Sequence, residues 1–226
     1  MVVTLLGEGG KLRGVARKGK LPGGNIGRLS LFNDVTVQCY RRHEEDLALL
    51  TQVKLNGALP RLPHPDVYAY AHVQAELADA LTVDVHVGEN LYRYLASGLR
   101  GLARHHDPSA VSLIYAWKLL GQAGLSPILQ RCARCGAGAD LERFDVSAGG
   151  VTCARCGGGI ELPEEAREQL VALAKGTVRA ALSRPVADPR LHWTLLFRYV
   201  SYHVGELRSF DQIVELGPSL APPVAS

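Results

Sequence analysis

Two copies of the segment Cys-Ala-Arg-Cys-Gly, at 132–136 and 153–157, constrain the fold of this chain more than any other feature of its sequence. The facing cysteines are separated by seventeen residues, which gives the spacing C-x2-C-x17-C-x2-C. Each pair bends so that two thiolates reach one ion, and the following glycine permits a tight turn. Four thiolates close a tetrahedral shell and leave no position for water. The pattern therefore predicts one structural Zn²⁺ bound by Cys132, Cys135, Cys153 and Cys156.

Two other uses of the paired cysteines fit the sequence less well. The first seven residues have no basic segment and too short an apolar run for a secretory signal, so a disulfide framework is weakly supported. A redox-active pair is also weakly supported, because the motif occurs twice and no thioredoxin-like strand precedes it. No stretch approaches the ~20 apolar residues of a membrane span, so we expect a cytoplasmic protein. The fifth cysteine, Cys39, is expected in a strand core.

Positive charge is concentrated at the N-terminal end. Residues 1–42 contain eight Lys or Arg and two acidic residues, a net charge of +6, whereas the whole chain carries +3. A basic end on a near-neutral body is typical of a polyanion-binding surface, although it could also only keep the protein in solution. In 128–162, by contrast, four arginines balance four acidic residues, so DNA contact by the cysteine segment is not expected. The candidate DNA-binding residues are Lys11, Arg13, Arg17, Lys18, Lys20 and Arg28.

The hydrophobic pattern divides the chain into a β part and a helical part. Apolar residues alternate along 29–39 and 47–55, and glycine-rich turns separate these short segments, which indicates a small β-barrel. Phe32 and Tyr40 share the expected outward face of this barrel. After the proline-rich stretch 60–65 the period becomes helical. The chain is therefore predicted to be α+β, with an N-terminal barrel followed by helices.

Helix starts are readable in the second part. Asp107-Pro108 and Asp188-Pro189 each combine an N-cap with proline at the first helical position. The first of these helices is expected to bury Leu113, Ala116, Trp117 and Leu120. Another helix is predicted to begin at Pro163 and to continue to Ala181.

No set of residues supports catalysis. Gly14 and Gly19-Lys20 have the spacing of a phosphate-binding loop, but Leu21 stands where Ser or Thr should hold magnesium. The eight histidines include no HExxH motif, and no nucleophile elbow is present. The sequence therefore gives no positive argument for an enzyme.

Three stretches that together span most of the chain resemble the RecO family of bacterial recombination mediators. The first is the basic segment 10–19, and the second comprises 124–129 and 144–150 around the cysteine pairs. The third is Arg-Tyr-Val-Ser-Tyr-His-Val-Gly-Glu-Leu-Arg-Ser at 198–209. A four-cysteine motif alone is common, but its position inside helices and behind a basic β segment is far more specific.

This resemblance implies an OB-fold N-terminal domain and a helical domain with an inserted zinc-binding module. It also implies a non-enzymatic role: binding single- and double-stranded DNA, annealing strands, and helping RecA replace single-strand-binding protein. RecR and single-strand-binding protein would be partners, and the protein would act at the nucleoid. The family has about one more strand and turn before the region matching Thr4–Leu6. We therefore expect the barrel to lack its first strand.

The predicted organisation is an OB-fold DNA-binding domain at 1–62, a helical domain at 63–127 and 161–216, a zinc module at 128–160 and a loose tail at 217–226. An alternative is a zinc-ribbon adaptor or regulatory protein whose basic loop faces an acidic protein partner. DNA binding by the basic segment distinguishes the two hypotheses.

Overall fold

Strands precede the long helices along the chain, and a second group of strands interrupts those helices. The structure is a computed structural model that describes residues 1–17, 25–43, 46–82 and 88–215. Its first elements in chain order are β1 (Val2–Gly7), β2 (Gly10–Val15), β3 (Asp34–Tyr40), β4 (Ala48–Gly57), α1 (Pro65–Leu81), α2 (Gly88–Arg104) and α3 (Pro108–Gln122). The remaining elements are β5 (Leu141–Asp145), β6 (Gly150–Cys153), β7 (Ile160–Glu161), α4 (Glu164–Lys175), α5 (Val178–Ala181), α6 (Pro189–His203) and α7 (Ser209–Glu215). The predicted α+β class, with an N-terminal sheet, a helical body and a cysteine cluster inside it, is confirmed. The predicted tail lies outside the described residues.

The first four strands form one sheet in the order β1-β2-β4-β3. β1 and β2 are an antiparallel hairpin, β4 runs parallel to β2, and β3 runs antiparallel to β4. Gly14 permits the close approach of β2 and β4, because a Cβ there would lie 2.8 Å from Cδ2 of Leu50. An OB-fold is a five-stranded, partly open barrel. The four described strands form an open sheet with β1 and β3 at its edges.

The segments 29–39 and 47–55, predicted as strands from their period of two, each contain a strand. The start of the first strand and the buried positions of the second differ from the prediction. The strand begins only at Asp34, and Leu31 is 63% exposed in the preceding turn. The pairing of β3 with β4 is irregular between Gln38 and Cys39, so the inward parity changes along β4. Leu50 and Val53 are buried as a result, although they lie an odd number of residues apart. Cys39 is exposed, which corrects the expectation that it is a core residue.

The helical body is built around α3. This helix contacts α1, α2, α4 and α6, and the predicted buried stripe is confirmed, with Leu113, Ala116, Trp117 and Leu120 each at most 1% exposed. Both predicted N-caps are present, because Asp107 accepts a hydrogen bond from the Ala110 N–H at 2.9 Å and Asp188 from the Leu191 N–H at 3.0 Å. None of the described helices has the length and hydropathy needed to cross a bilayer.

The helix predicted from Pro163 to Ala181 is two helices. α4 ends at Lys175, and the Thr177 hydroxyl accepts a hydrogen bond from the Ala180 N–H at 3.2 Å to begin α5. Gly176 between them has extended backbone angles. A threonine hydroxyl that caps the following helix favours a non-helical backbone at the threonine itself. This explains why α4 does not continue through Thr177 into α5.

The second sheet has the order β6-β5-β7 and lies between α3 and α4 in the chain. Its central strand contributes Phe144, which is fully buried. The Phe144 ring centroid is 6.4 Å from that of Trp117 on α3 and 5.8 Å from that of Tyr199 on α6. The cysteine-bearing sheet is therefore anchored in the same core as the helices.

Candidate metal centre and nucleic-acid surface

The first cysteine pair lies on a tight turn held by backbone hydrogen bonds. The Gly136 N–H donates to the Cys132 carbonyl at 2.9 Å, and the Cys132 N–H donates to the Ala137 carbonyl at 2.7 Å. Gly136 has a φ of +79°, a left-handed conformation that glycine adopts without steric cost. The glycine after Cys135 is therefore required by the turn, as its place in the sequence indicates.

The second pair repeats this turn at the end of β6. The N–H groups of Cys156 and Gly157 both donate to the Cys153 carbonyl at 3.0 Å, and Gly157 has a φ of +57°. Gly159, two residues later, has a φ of +74°, and a side chain there would overlap the backbone of Phe144. The glycine run after Cys156 thus lets the chain pass directly beside β5.

The two turns bring the four cysteine sulfurs together. All four Sγ atoms lie within 4.8 Å of one another, and those of Cys135 and Cys153 are 3.7 Å apart. A tetrahedral ion with metal–sulfur bonds of about 2.3 Å requires sulfur–sulfur separations of about 3.8 Å. The predicted ligand set Cys132, Cys135, Cys153 and Cys156 is therefore assembled in a geometry that could hold one metal ion and is compatible with zinc.

The ionisation of these thiols favours a bound cation. Burial alone would raise the pKa of Cys132. Hydrogen bonds from the backbone N–H groups of Cys135, Cys153 and Arg134 outweigh this effect and lower the pKa to about 6. The neighbouring sulfurs of Cys135 and Cys153 raise the pKa of Cys156 to about 12. Four thiolates cannot coexist here without a compensating positive charge. A divalent ion held by all four sulfurs would supply that charge.

Three of the four arginines in the cysteine module, Arg134, Arg143 and Arg155, make contacts inside the module. Arg134 donates to the Asp145 carboxylate at 2.5 Å, and Arg143 donates to the carbonyls of Gly158 and Gly159 at 3.0 and 3.3 Å. The Arg155 guanidinium interacts with Cys135, whose sulfur raises the pKa of that arginine. The expectation from charge balance that this segment does not bind DNA stays a prediction.

Asp145 holds the turn between β5 and β6. Its carboxylate accepts hydrogen bonds from the Ser147 hydroxyl at 2.6 Å and from the Ser147 N–H at 2.9 Å. The Ser147 hydroxyl, followed by Arg134, lowers the pKa of Asp145 against the opposing effect of burial. The residue is therefore a buried anion that fixes the loop next to the first cysteine pair.

His203 connects the cysteine module to α6, a role that the sequence does not indicate. Its Nε2 lies 2.9 Å from the Val146 carbonyl oxygen, so that nitrogen carries the proton and donates. The helical period predicts only that His203 faces inward. Nothing in the sequence indicates which carbonyl it meets, because 57 residues separate the two.

The candidate DNA-binding residues are placed unequally. Arg13, Arg17 and Arg28 are exposed, and Arg28 donates to the Asn25 side chain at 3.0 Å. Lys11 is engaged, because its Nζ lies 3.0 Å from the Asp79 carboxylate and 2.9 Å from the Asp79 carbonyl oxygen of α1. Lys18 and Lys20 lie outside the described residues. All four candidates that the structure describes are therefore exposed, and Lys11 also connects the sheet with α1. Their binding to DNA stays a prediction.

A polar groove lies on β4 beside the Arg28 segment. It has a volume of ≈ 570 Å³ and is lined by Asn25, Arg28, Thr51, Gln52, Val53, Lys54 and Leu55. Two of these side chains are cationic and none is acidic. Lys54 was missed in the sequence, where only its alternation with the buried Val53 places it on the outer face.

The expected aromatic pair does not form one outward platform. Tyr40 is 61% exposed, but Phe32 is half-buried and packs against α1, its ring centroid 6.1 Å from that of Tyr68 and 5.4 Å from that of His72. Phe32 also has a φ of 65°, unusual for a residue with a large side chain. Its role is to fix the segment that carries Arg28 against the helices.

Comparison with known proteins identifies the family. The family described as "Recombination protein O C terminal" matches residues 63–209, which include both cysteine pairs and the contacts of His203. A DNA repair protein RecO of Anaeromyxobacter sp. (strain K) is 32% identical, over 97% of this chain and 91% of its own length. The DNA repair protein RecO of Streptomyces griseus is 32% identical over 66% of this chain and 64% of its own length. The DNA repair protein RecO of Bacillus cereus (strain B4264) is 29% identical over 66% of this chain and 60% of its own length. The helical body, the four-cysteine cluster and these likenesses together show that the chain belongs to the RecO family of recombination proteins in DNA repair.

Proposed function

We propose that this protein is a recombination mediator that binds single- and double-stranded DNA and anneals complementary strands. In the same proposal it helps RecA to displace single-strand-binding protein, with RecR as a partner, and it acts in the cytoplasm at the nucleoid. The observation that carries the proposal is the polar, cationic groove on β4, lined by Arg28 and Lys54, in a chain of the RecO family. Such a role requires no catalytic residue.

The basic surface of the sheet supports binding that depends on phosphates. Arg13, Arg17 and Arg28 are exposed on or beside the sheet, and Lys54 adds a fourth cation from the central strand β4. Phosphate contacts position a strand without reading its sequence, and they suit single strands and duplexes alike. Base stacking contributes little, because Tyr40 is the only large aromatic side chain that the described part of the sheet exposes. We therefore propose sequence-neutral, salt-sensitive binding.

The four-cysteine cluster is proposed to hold one Zn²⁺ in a structural role. Cys132, Cys135, Cys153 and Cys156 would fill all four positions of its shell, so the ion would supply charge and rigidity but no site for a reacting water. The ion would fix the β5–β6–β7 sheet, whose Phe144 packs among the helices.

A titration with single-stranded and duplex DNA at two salt concentrations tests the DNA-binding proposal. We expect the wild-type protein to bind both, with affinities that fall as salt rises. Arg28→Gln with Lys54→Gln should flatten the salt slope for single strands by about 1.4, since each phosphate contact contributes about 0.7. Lys175→Gln with Arg179→Gln removes the same charge from exposed positions on α4 and α5 and should change neither quantity. A wild-type protein that binds no DNA would refute the proposal.

The mediator role has its own test. RecA-dependent ATP hydrolysis on DNA covered with single-strand-binding protein should start sooner when this protein and RecR are added together. The Arg28→Gln, Lys54→Gln variant should stimulate less than the wild type. Unchanged lag times with the wild-type protein, in a mixture where it binds DNA, would limit its role to binding or annealing.

A further inference from the structure

The second helix carries a straight row of arginines that the proposed DNA site does not use. Arg93, Arg100 and Arg104 on α2 are all exposed. At 100° per residue, spacings of seven and four residues place these three side chains within about 40° of one another around the helix. Leu91, Leu99 and Leu102 are buried on the opposite face. We call these three arginines the α2 row.

The α2 row has the dimensions and chemistry of a phosphate-binding surface. The helical rise separates successive arginines by about 10 and 6 Å, so the row extends for roughly 16 Å. Guanidinium groups bind phosphate oxygens through paired hydrogen bonds and always remain charged. Arg100 also lies 3.4 Å from the Ser97 hydroxyl, a small polar neighbour on the same face that does not cover it.

The face that bears the row does not suit an acidic peptide. Specific peptide docking needs an apolar pocket for anchor residues. None of the large exposed apolar side chains in the described part of the chain belongs to α2. A nucleic acid backbone needs only the charges.

The position of α2 connects the row with the basic sheet. β1 and β2 both lie against α2, and β2 carries Arg13. The sheet and the row therefore belong to adjoining parts of the molecule.

We propose that the α2 row is a second phosphate-binding surface, which engages the nucleic acid strand beyond the sheet. This inference rests on the proposed function. Its consequence is length dependence: short strands are held by the sheet alone, and long strands by both surfaces. A single OB-fold covers about 4–16 nucleotides, which sets the boundary between the two cases.

The test compares two single strands of mixed sequence, about 10 and about 40 nucleotides long, chosen below and above the OB-fold site size. The variant is Arg93→Gln, Arg100→Gln, Arg104→Gln. Three lost phosphate contacts should flatten the salt slope for the long strand by about 2 and lower its affinity at 0.1 M salt by up to about a hundredfold. The short strand should bind within about twofold of wild type. The control Lys175→Gln, Arg179→Gln, Arg184→Gln removes three exposed charges elsewhere and should affect neither strand.

Each alternative outcome has a definite meaning. Unchanged long-strand binding by the row variant overturns this inference while the proposed function stands, and a wild-type protein that binds neither strand overturns the proposed function itself. If the variant loses binding to an acidic peptide but keeps long-strand binding, the row docks protein and the inference is wrong. If the triple variant is misfolded by circular dichroism, the three single substitutions replace it, and each should flatten the slope by about 0.7.

Discussion

At the scale of single residues, the sulfur of Cys153 offers the sharpest test of the metal centre. This cysteine is 4% exposed and its Sγ lies 3.7 Å from that of Cys135. Cys153→Ser replaces a soft ligand by a hydroxyl that binds zinc poorly. Structural zinc sites contribute on the order of 10–16 kcal/mol of apparent binding free energy. We expect metal content to fall from one ion per chain and the melting temperature to drop, as measured by elemental analysis and calorimetry.

Cys39 provides the matched control for that prediction. It is exposed on β3 and lies outside the cluster, so Cys39→Ser makes the same chemical change without touching a ligand. Metal content and melting temperature should stay at their wild-type values. A soluble, metal-free Cys153 variant with unchanged stability would show that the cluster is not a structural metal site.

Single residues differ in how much of their role the sequence reveals. The four clustered cysteines can be found by spacing alone, because both halves of the site are local turns with their own glycines. Lys54 could not be found that way, since its place in the groove depends on the segment with Arg28 lying against β4. Lys11 is a predicted DNA contact, and the sequence gives no sign that it also meets Asp79, 68 residues away.

At the scale of elements, Gly98 of α2 marks a close contact of this helix with α1 and α3. A Cβ there would overlap the side-chain amide of Gln74 on α1 and lie 2.9 Å from Cγ of Tyr115 on α3. Alanine in place of glycine normally favours a helix by about 1 kcal/mol. Here we expect Gly98→Ala to lower the free energy of unfolding instead, by roughly 1–3 kcal/mol, because a packed core cannot admit the extra methyl group. Denaturant titration measures the change.

A second substitution shows whether the overlap is the cause. Gln74 is fully buried and neither atom of its amide has a hydrogen-bond partner among the described residues. Gln74→Ala removes the group that the new methyl meets, so the double variant with Gly98→Ala should be more stable than the sum of the single effects predicts. Gly101→Ala, whose Cβ would lie 3.2 Å from Val111, should be milder. Strictly additive effects of Gln74→Ala and Gly98→Ala would contradict this account.

Elements are predictable where their signals are local. Asp107 and Asp188 begin helices because the cap, the proline and the first turn are neighbours in sequence. The end of α4 at Lys175 was missed, since the apolar period continues through Gly176 and Thr177 while the backbone does not. The predicted alternation of buried residues along β4 was wrong for a related reason, because the irregular pairing near Cys39 depends on two strands at once.

At the scale of the whole molecule, the sequence predicts the parts better than their assembly. The N-terminal sheet, the helices and the cysteine cluster each have a local pattern. Their connections do not: Phe144 meets Trp117 and Tyr199, and His203 donates to Val146, through contacts between distant segments. These contacts make the module part of the helical core. A change in the module should therefore alter stability before it alters DNA affinity.

That separation leads to a prediction about where DNA affinity resides. If the basic residues 11–28 neutralise about five phosphates, the salt slope of log K for single strands is about −3.5. Changing Arg17, Lys18 and Lys20 together to Ala should flatten it by about 2, equally for any base sequence, because phosphate contacts carry no sequence information. Changing Arg134 and Arg155 to Ala should leave the slope unchanged, since one binds Asp145 and the other lies beside Cys135. The salt slopes of the two variants can be measured by fluorescence anisotropy. A larger change in slope per lost charge in the Arg134, Arg155 variant than in the Arg17, Lys18, Lys20 variant would show that the DNA-binding surface lies at the metal centre.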